Sequence, residues 1–120
     1  MKIIGFNYSH DAKNDFVFDG GVALIENGII RMAFAEDRIT RNKNDGGFKY
    51  ALSEILRRTN LTLNDIDYFA VSFYAHFAVP EEIAVKHLFD AIPIKDLAKK
   101  IIFVPSHHLS HAVASYFLSP

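Results

Sequence analysis

Apolar and polar positions change period several times along the chain, and each change marks an element. Lys2–Tyr8 (KIIGFNY) is β-branched and aromatic and predicts a strand. A polar loop, SHDAKNDFVFDGG, follows with two apolar interruptions. Two apolar runs within Gly21–Ile39 then flank Asn27-Gly28. That dipeptide supplies the positive φ angles of a tight type I′ turn, so the whole stretch reads as a hairpin. Thr40–Gly47 is polar and predicts a loop. In FKYALSEILRRTN, Phe48, Leu52, Ile55 and Leu56 fall on one helical face, with Arg57 and Arg58 near the C-terminal end.

The second half alternates in the same way. Tyr68–Tyr74 (YFAVSFY) is apolar on both faces, which predicts a central, parallel strand. Pro80, Glu81 and Glu82 open a second helix, reaching Ile92. IKDLAKK is a short helix or turn, Ile101–Ser106 a further buried strand, and HHLSHAVASYFL a helix leaving that strand's C-terminal end. The order β, β-hairpin, α, β, α, β, α predicts one α/β unit spanning residues 1–120. Its sheet is mixed and five-stranded, with an antiparallel hairpin edge and a parallel side. Ligands of such sheets sit at the C-terminal ends of the parallel strands. His107 to His111, Tyr8 to Asp11 and Tyr74 to His76 all follow such ends.

Composition narrows the class. Half the residues are apolar, which disfavours disorder. Thirteen basic residues nearly balance fourteen acidic ones, so no long-range field calls for nucleic acid or an anionic membrane. The chain has no cysteine, which removes disulfides and thiolate metal sites. No apolar run approaches the roughly 20 residues of a membrane span. The expectation is a cytoplasmic protein.

Three groups of residues carry candidate chemistry. His107 and His111 are four apart, which on a helix stacks two imidazoles able to chelate one divalent cation. His108 and His111 are the alternative pair, and a polar helix start is the competing reading. His10-Asp11 is a candidate acid–base pair, read otherwise as a solvated turn. Arg38, Arg41 and Lys43 suit a phosphate or carboxylate, and the bland alternative is a solvated charge run. The Gly-rich phosphate motifs and the nucleophile elbow are absent.

Together GFN, AFAEDRITRNKNDGGF, LNDIDYFAVSFY and HHLSHAVASYFLSP resemble the N-terminal part of the O-carbamoyltransferases, the nodulation-factor and antibiotic-tailoring enzymes. The resemblance covers nearly all of the chain. It implies half of an actin-like (ribonuclease-H-like) ATPase fold, similar also to the proteins that make threonylcarbamoyl-adenosine in transfer RNA. It implies that His107 and His111 bind a divalent metal, iron(II) with zinc as the alternative. Lys43 falls where the family contacts a carbamoyl-adenylate made from ATP and carbamoyl phosphate; Arg41 and His108 are the other expected substrate-binding residues. The carbamoyl group passes to a hydroxyl of a small-molecule acceptor. Here the family's HD motif aligns with His10-Asp11 or with Phe18-Asp19, according to where gaps are placed. Family chains are several times longer, so the expected partner is a missing C-terminal lobe or a second copy docked on an exposed face. The competing expectations are a non-catalytic binding or assembly module and a kinase-like phosphotransferase lobe. The lack of a Gly-rich turn after the first strand counts against the latter.

Overall fold

A computed structural model describes residues 1–10, 20–75, 86, 88–104, 112, 113 and 115, with the backbone alone at 8–10 and 73–75. Five strands form one sheet: β1 (Lys2–His10), β2 (Gly21–Glu26), β3 (Ile29–Ala35), β4 (Tyr68–Ala75) and β5 (Ile101–Phe103). Their order is β3-β2-β1-β4-β5. β1 runs antiparallel to β2 and parallel to β4, β2 antiparallel to β3, and β4 parallel to β5. The expected mixed α/β sheet is therefore present, with its hairpin on one edge.

The hairpin closes where its sequence says it should. Asn27 (φ 52°) and Gly28 (φ 81°) both sit in the left-handed region that a type I′ turn requires. The N-terminal ammonium donates to Asn27 Oδ1 at 2.6 Å, and Asn27 N–H donates to the Met1 carbonyl at 2.9 Å, tying the turn to the start of β1. Further along the hairpin the β2–β3 register shifts, so that Ile25 faces Ile30 while Leu24 faces Met32.

One face of the sheet holds the core. Ile4 and Phe6, Val22 and Leu24, and Phe69 and Val71 alternate inward from three adjacent strands, as the two-residue period of a strand requires. Helix α2 (Lys49–Thr59) covers them with Ala51, Leu52 and Ile55, while Phe48 caps the cluster. Phe6 meets the Phe48 ring edge-on at 5.2 Å and lies stacked on Phe69 at 6.1 Å. Lys86 and residues 88–91 are helical, and Leu88 and Ile92 join the same core. Burying each such side chain contributes about 1.5–3 kcal/mol. A 3₁₀ turn (Leu63–Asp65) and helix α3 (Leu97–Lys100) complete the connections.

Three boundaries differ from expectation. β1 runs on through Ser9 and His10, because β4 continues beside it as far as Ala75. The hairpin's second strand stops at Ala35, and Glu36–Thr40 coils into a short helix, α1, with Glu36 and Asp37 in its first turn. The last strand is an exposed edge, not a buried element: Ile102 and Phe103 are nearly half exposed. Among the described residues its only strand neighbour is β4. Among the described residues no helix is long and apolar enough to cross a membrane.

Candidate functional site

Because β1 and β4 are parallel and β2 is antiparallel to β1, one end of the sheet gathers several chain segments. β1 ends there at His10 and β4 at Ala75, which are register partners. β2 begins there at Gly21, opposite Asn7, and β3 ends there at Ala35, opposite Gly21. Val104 also leaves β5 there, its N–H donating to the Val71 carbonyl at 2.9 Å.

Helix α1 starts at this end, and its first residue is the most unusual side chain in the structure. Glu36 is 2 % exposed, the only buried charged residue among the described ones. Its carboxylate accepts N–H bonds from Tyr50 (2.9 Å) and Ala51 (2.6 Å), in the first turn of α2. Those amides are orphan donors at a helix start, and the positive end of the helix dipole favours a carboxylate there. The residues just before α2, Gly46-Gly47-Phe48, include no Ser, Thr, Asp or Asn to cap it, and Phe48 makes no side-chain cap. The cap therefore comes from a residue fourteen positions upstream. That missing local cap is the sequence signal that could have found Glu36, which the charge pattern alone places with the surface cations.

The backbone around Glu36 is equally constrained. Glu36 N–H donates to the Gly20 carbonyl, and Gly20 N–H to the Asp45 carbonyl, both at 2.8 Å. Gly20 lies so close to the Gly46-Gly47 backbone that a Cβ would sit 1.9 Å from the Gly47 carbonyl oxygen. Only glycine permits that crossing.

Between Thr40 and Gly47 the chain makes a closed turn. The Thr40 hydroxyl donates to Asp45 Oδ2 (2.9 Å) and accepts from Asn42 N–H (3.3 Å). Asp45 Oδ1 accepts from Gly47 N–H (2.9 Å), and Asp45 N–H donates to the Asn42 carbonyl (3.1 Å). Arg41 (φ 62°) and Asn44 (φ 61°) are left-handed. Asparagine tolerates that region, but for arginine it costs roughly 1–2 kcal/mol. At the end of α2 the same conformation falls to Asn60. At the tip, Arg41, Asn42, Lys43 and Asn44 are exposed. Among the described residues, neither Arg41 nor Lys43 uses its side chain in an ion pair or hydrogen bond. The base of the turn is bonded throughout, while its cations face solvent, where they can meet an anion.

Each expected site residue has a definite status. Arg41 and Lys43 share one turn, at the expected end of the sheet. His10 closes β1 at that end, by its backbone. Asp11, His107, His108 and His111 lie outside the described residues, as does the alternative Phe18-Asp19. Among the described residues no group of three or more His, Asp or Glu is placed to hold a metal ion. Thr40, Asp45 and Glu36 were not among the expected functional residues.

The sheet face opposite the core is different in character. A shallow groove of about 670 Å³ runs across it, over Gly5, Gly21, Ala23, Ala33, Ala70 and Ser72. No protein-family model matches this chain, and no curated protein does.

Proposed function

We propose that this chain is the N-terminal lobe of an O-carbamoyltransferase, half of an actin-like fold, holding part of the site for a carbamoyl-adenylate and a divalent cation. The observation that supports it is the closed turn carrying Arg41 and Lys43, tied through Asp45 to Gly20 just before β2, at the end of the sheet where β1 and β4 also stop. A sheet antiparallel on one side and parallel on the other is compatible with such a lobe. Arg41 and Lys43 neutralise the phosphate of the intermediate. His107 and His111 are the proposed residues that would hold a divalent cation, which would supply Lewis acidity when bound. The oxygen of the acceptor hydroxyl attacks the carbamoyl carbon, its proton passes to His10, and the bond from that carbon to the phosphate oxygen breaks. The products are a carbamate ester and AMP. Asp11 is the proposed partner that orients His10, and His108 a proposed substrate-binding residue. ATP and carbamoyl phosphate are consumed earlier, by parts of the longer enzyme that supply the intermediate.

A second reading, a non-catalytic assembly module, is favoured by the groove of small residues on the sheet face opposite the core. Titration separates the two. The purified chain is expected to bind iron(II) or zinc and AMP. His107→Ala and His111→Ala should abolish metal binding, and Lys43→Ala should weaken AMP about tenfold, as loss of a charge-assisted hydrogen bond implies. Metal and AMP binding that are absent, or indifferent to these changes, would leave the assembly module as the better account.

A further inference from the structure

The turn at Thr40–Gly47 is built differently from a solvated loop. A surface charge run needs no internal bonding, since water satisfies its backbone. Here the Thr40 hydroxyl, the Asp45 carboxylate and the amides of Asn42 and Gly47 form one chain of hydrogen bonds across the base. Asp45 is held from behind as well, because its carbonyl accepts from Gly20. Only the tip, with Arg41 and Lys43, projects freely. An anionic carboxylate one residue beyond Asn44 is also a poor neighbour for an anion-binding tip unless its charge is engaged elsewhere, and both Asp45 oxygens are engaged.

We infer that Thr40 and Asp45 are positioning residues that clasp the turn so that Arg41 and Lys43 meet a phosphate-bearing ligand already in place. The inference rests on the anion-binding reading above and adds the residues that set its affinity. The clasp acts in two ways. It removes the conformational freedom that a ligand would otherwise have to freeze. It also turns the Asp45 carboxylate inward, onto Thr40 and Gly47, so that the exposed tip carries net positive charge.

Thr40→Val keeps the shape of the side chain and deletes the hydroxyl, whereas Thr40→Ser keeps the hydroxyl. AMP is titrated into wild type and both variants, followed by backbone amide shifts, with thermal unfolding recorded in parallel. Wild-type AMP binding should perturb the amides of Asn42, Lys43 and Asn44. Thr40→Val should weaken AMP about fivefold, the value of one ordered long side chain. It should also speed hydrogen exchange at Asn42 and Gly47, with the global unfolding temperature lowered by only a few degrees. Thr40→Ser should restore both affinity and protection. AMP binding that Thr40→Val leaves intact, or a loss that Thr40→Ser does not rescue, overturns the clasp while leaving the site standing. A wild-type chain that binds no AMP overturns the site and the clasp together.

Discussion

The two ends of β3 are opposites. At its start, Ile29 and Ile30 are 62 % and 50 % exposed, beside a two-residue turn. At its end, Glu36 is 2 % exposed, sealed between α1 and α2. A hydropathy scale would exchange them. The Asn27-Gly28 turn asks only for two positive φ angles, and two adjacent residues provide them. The α1 junction asks for an acceptor at the start of α2, a gap for a crossing backbone and a bonded loop base, and residues from Gly20 to Ala51 provide them. Burial at the junction follows from unmet amides rather than from apolarity, since a carboxylate bonded to two helix-start N–H groups is stabilised where an unpaired one would not be.

If that contrast is right, the junction should be fragile and the turn tolerant. Gly20→Ala should have the largest effect, about 3 kcal/mol of lost stability in urea unfolding, because its Cβ collides with rigid backbone at Gly47. Glu36→Gln follows, at about 2 kcal/mol. Its amide has one oxygen for two N–H donors and turns an NH₂ toward the other. A Glu36→Gln protein as stable as wild type would remove the junction's special status. Asn27→Ala should cost about 1 kcal/mol, the ordinary penalty for a left-handed alanine, and leave the register of the hairpin intact.

The smallest expected effect lies on the outer face of α2. Glu54 is gripped by Arg57 at 2.8 and 2.9 Å and by Arg58 at 2.6 Å. The Arg57 hydrogen bonds, then that of Arg58, bring its carboxyl down from 4.5 to about 2. A depressed carboxylate contributes stability above its unfolded value, and that contribution fades as pH falls through its folded one. The stability gap between wild type and Glu54→Gln should therefore be full above about pH 4.5 and close toward pH 2, measured by urea midpoints. The effect is small, because water and salt screen this exposed cluster. A gap that stays constant across that window would mean the fork does not hold in solution.

Much of the fold was legible beforehand. The Asn-Gly turn, the inward alternation of Ile4, Phe6, Val22 and Leu24, and the 3.6-residue face of α2 are all local patterns. The parallel position of β4 followed from its apolar character and was met. β5 was misread as buried because IIFVP is apolar throughout, and a short apolar run does not say whether it will gain one neighbour or two. Of the candidate site, the chemistry of Arg41 and Lys43 was visible as charge and their loop as a polar run, but not the hydrogen bonds that close it.

The periods of apolar residues, the turn dipeptide and the charge of Glu36–Lys43 belong to the chain itself, because each depends on neighbours within a few positions. What the tertiary structure decided is where an unmet polar group finds its partner. Glu36 reaches the amides of Tyr50 and Ala51, Gly20 reaches Asp45, and the end of β3 coils instead of extending, only once α2 has docked on the sheet. The reason is that a buried N–H must be satisfied wherever the fold leaves it, and nothing in the local sequence says which distant oxygen will be there.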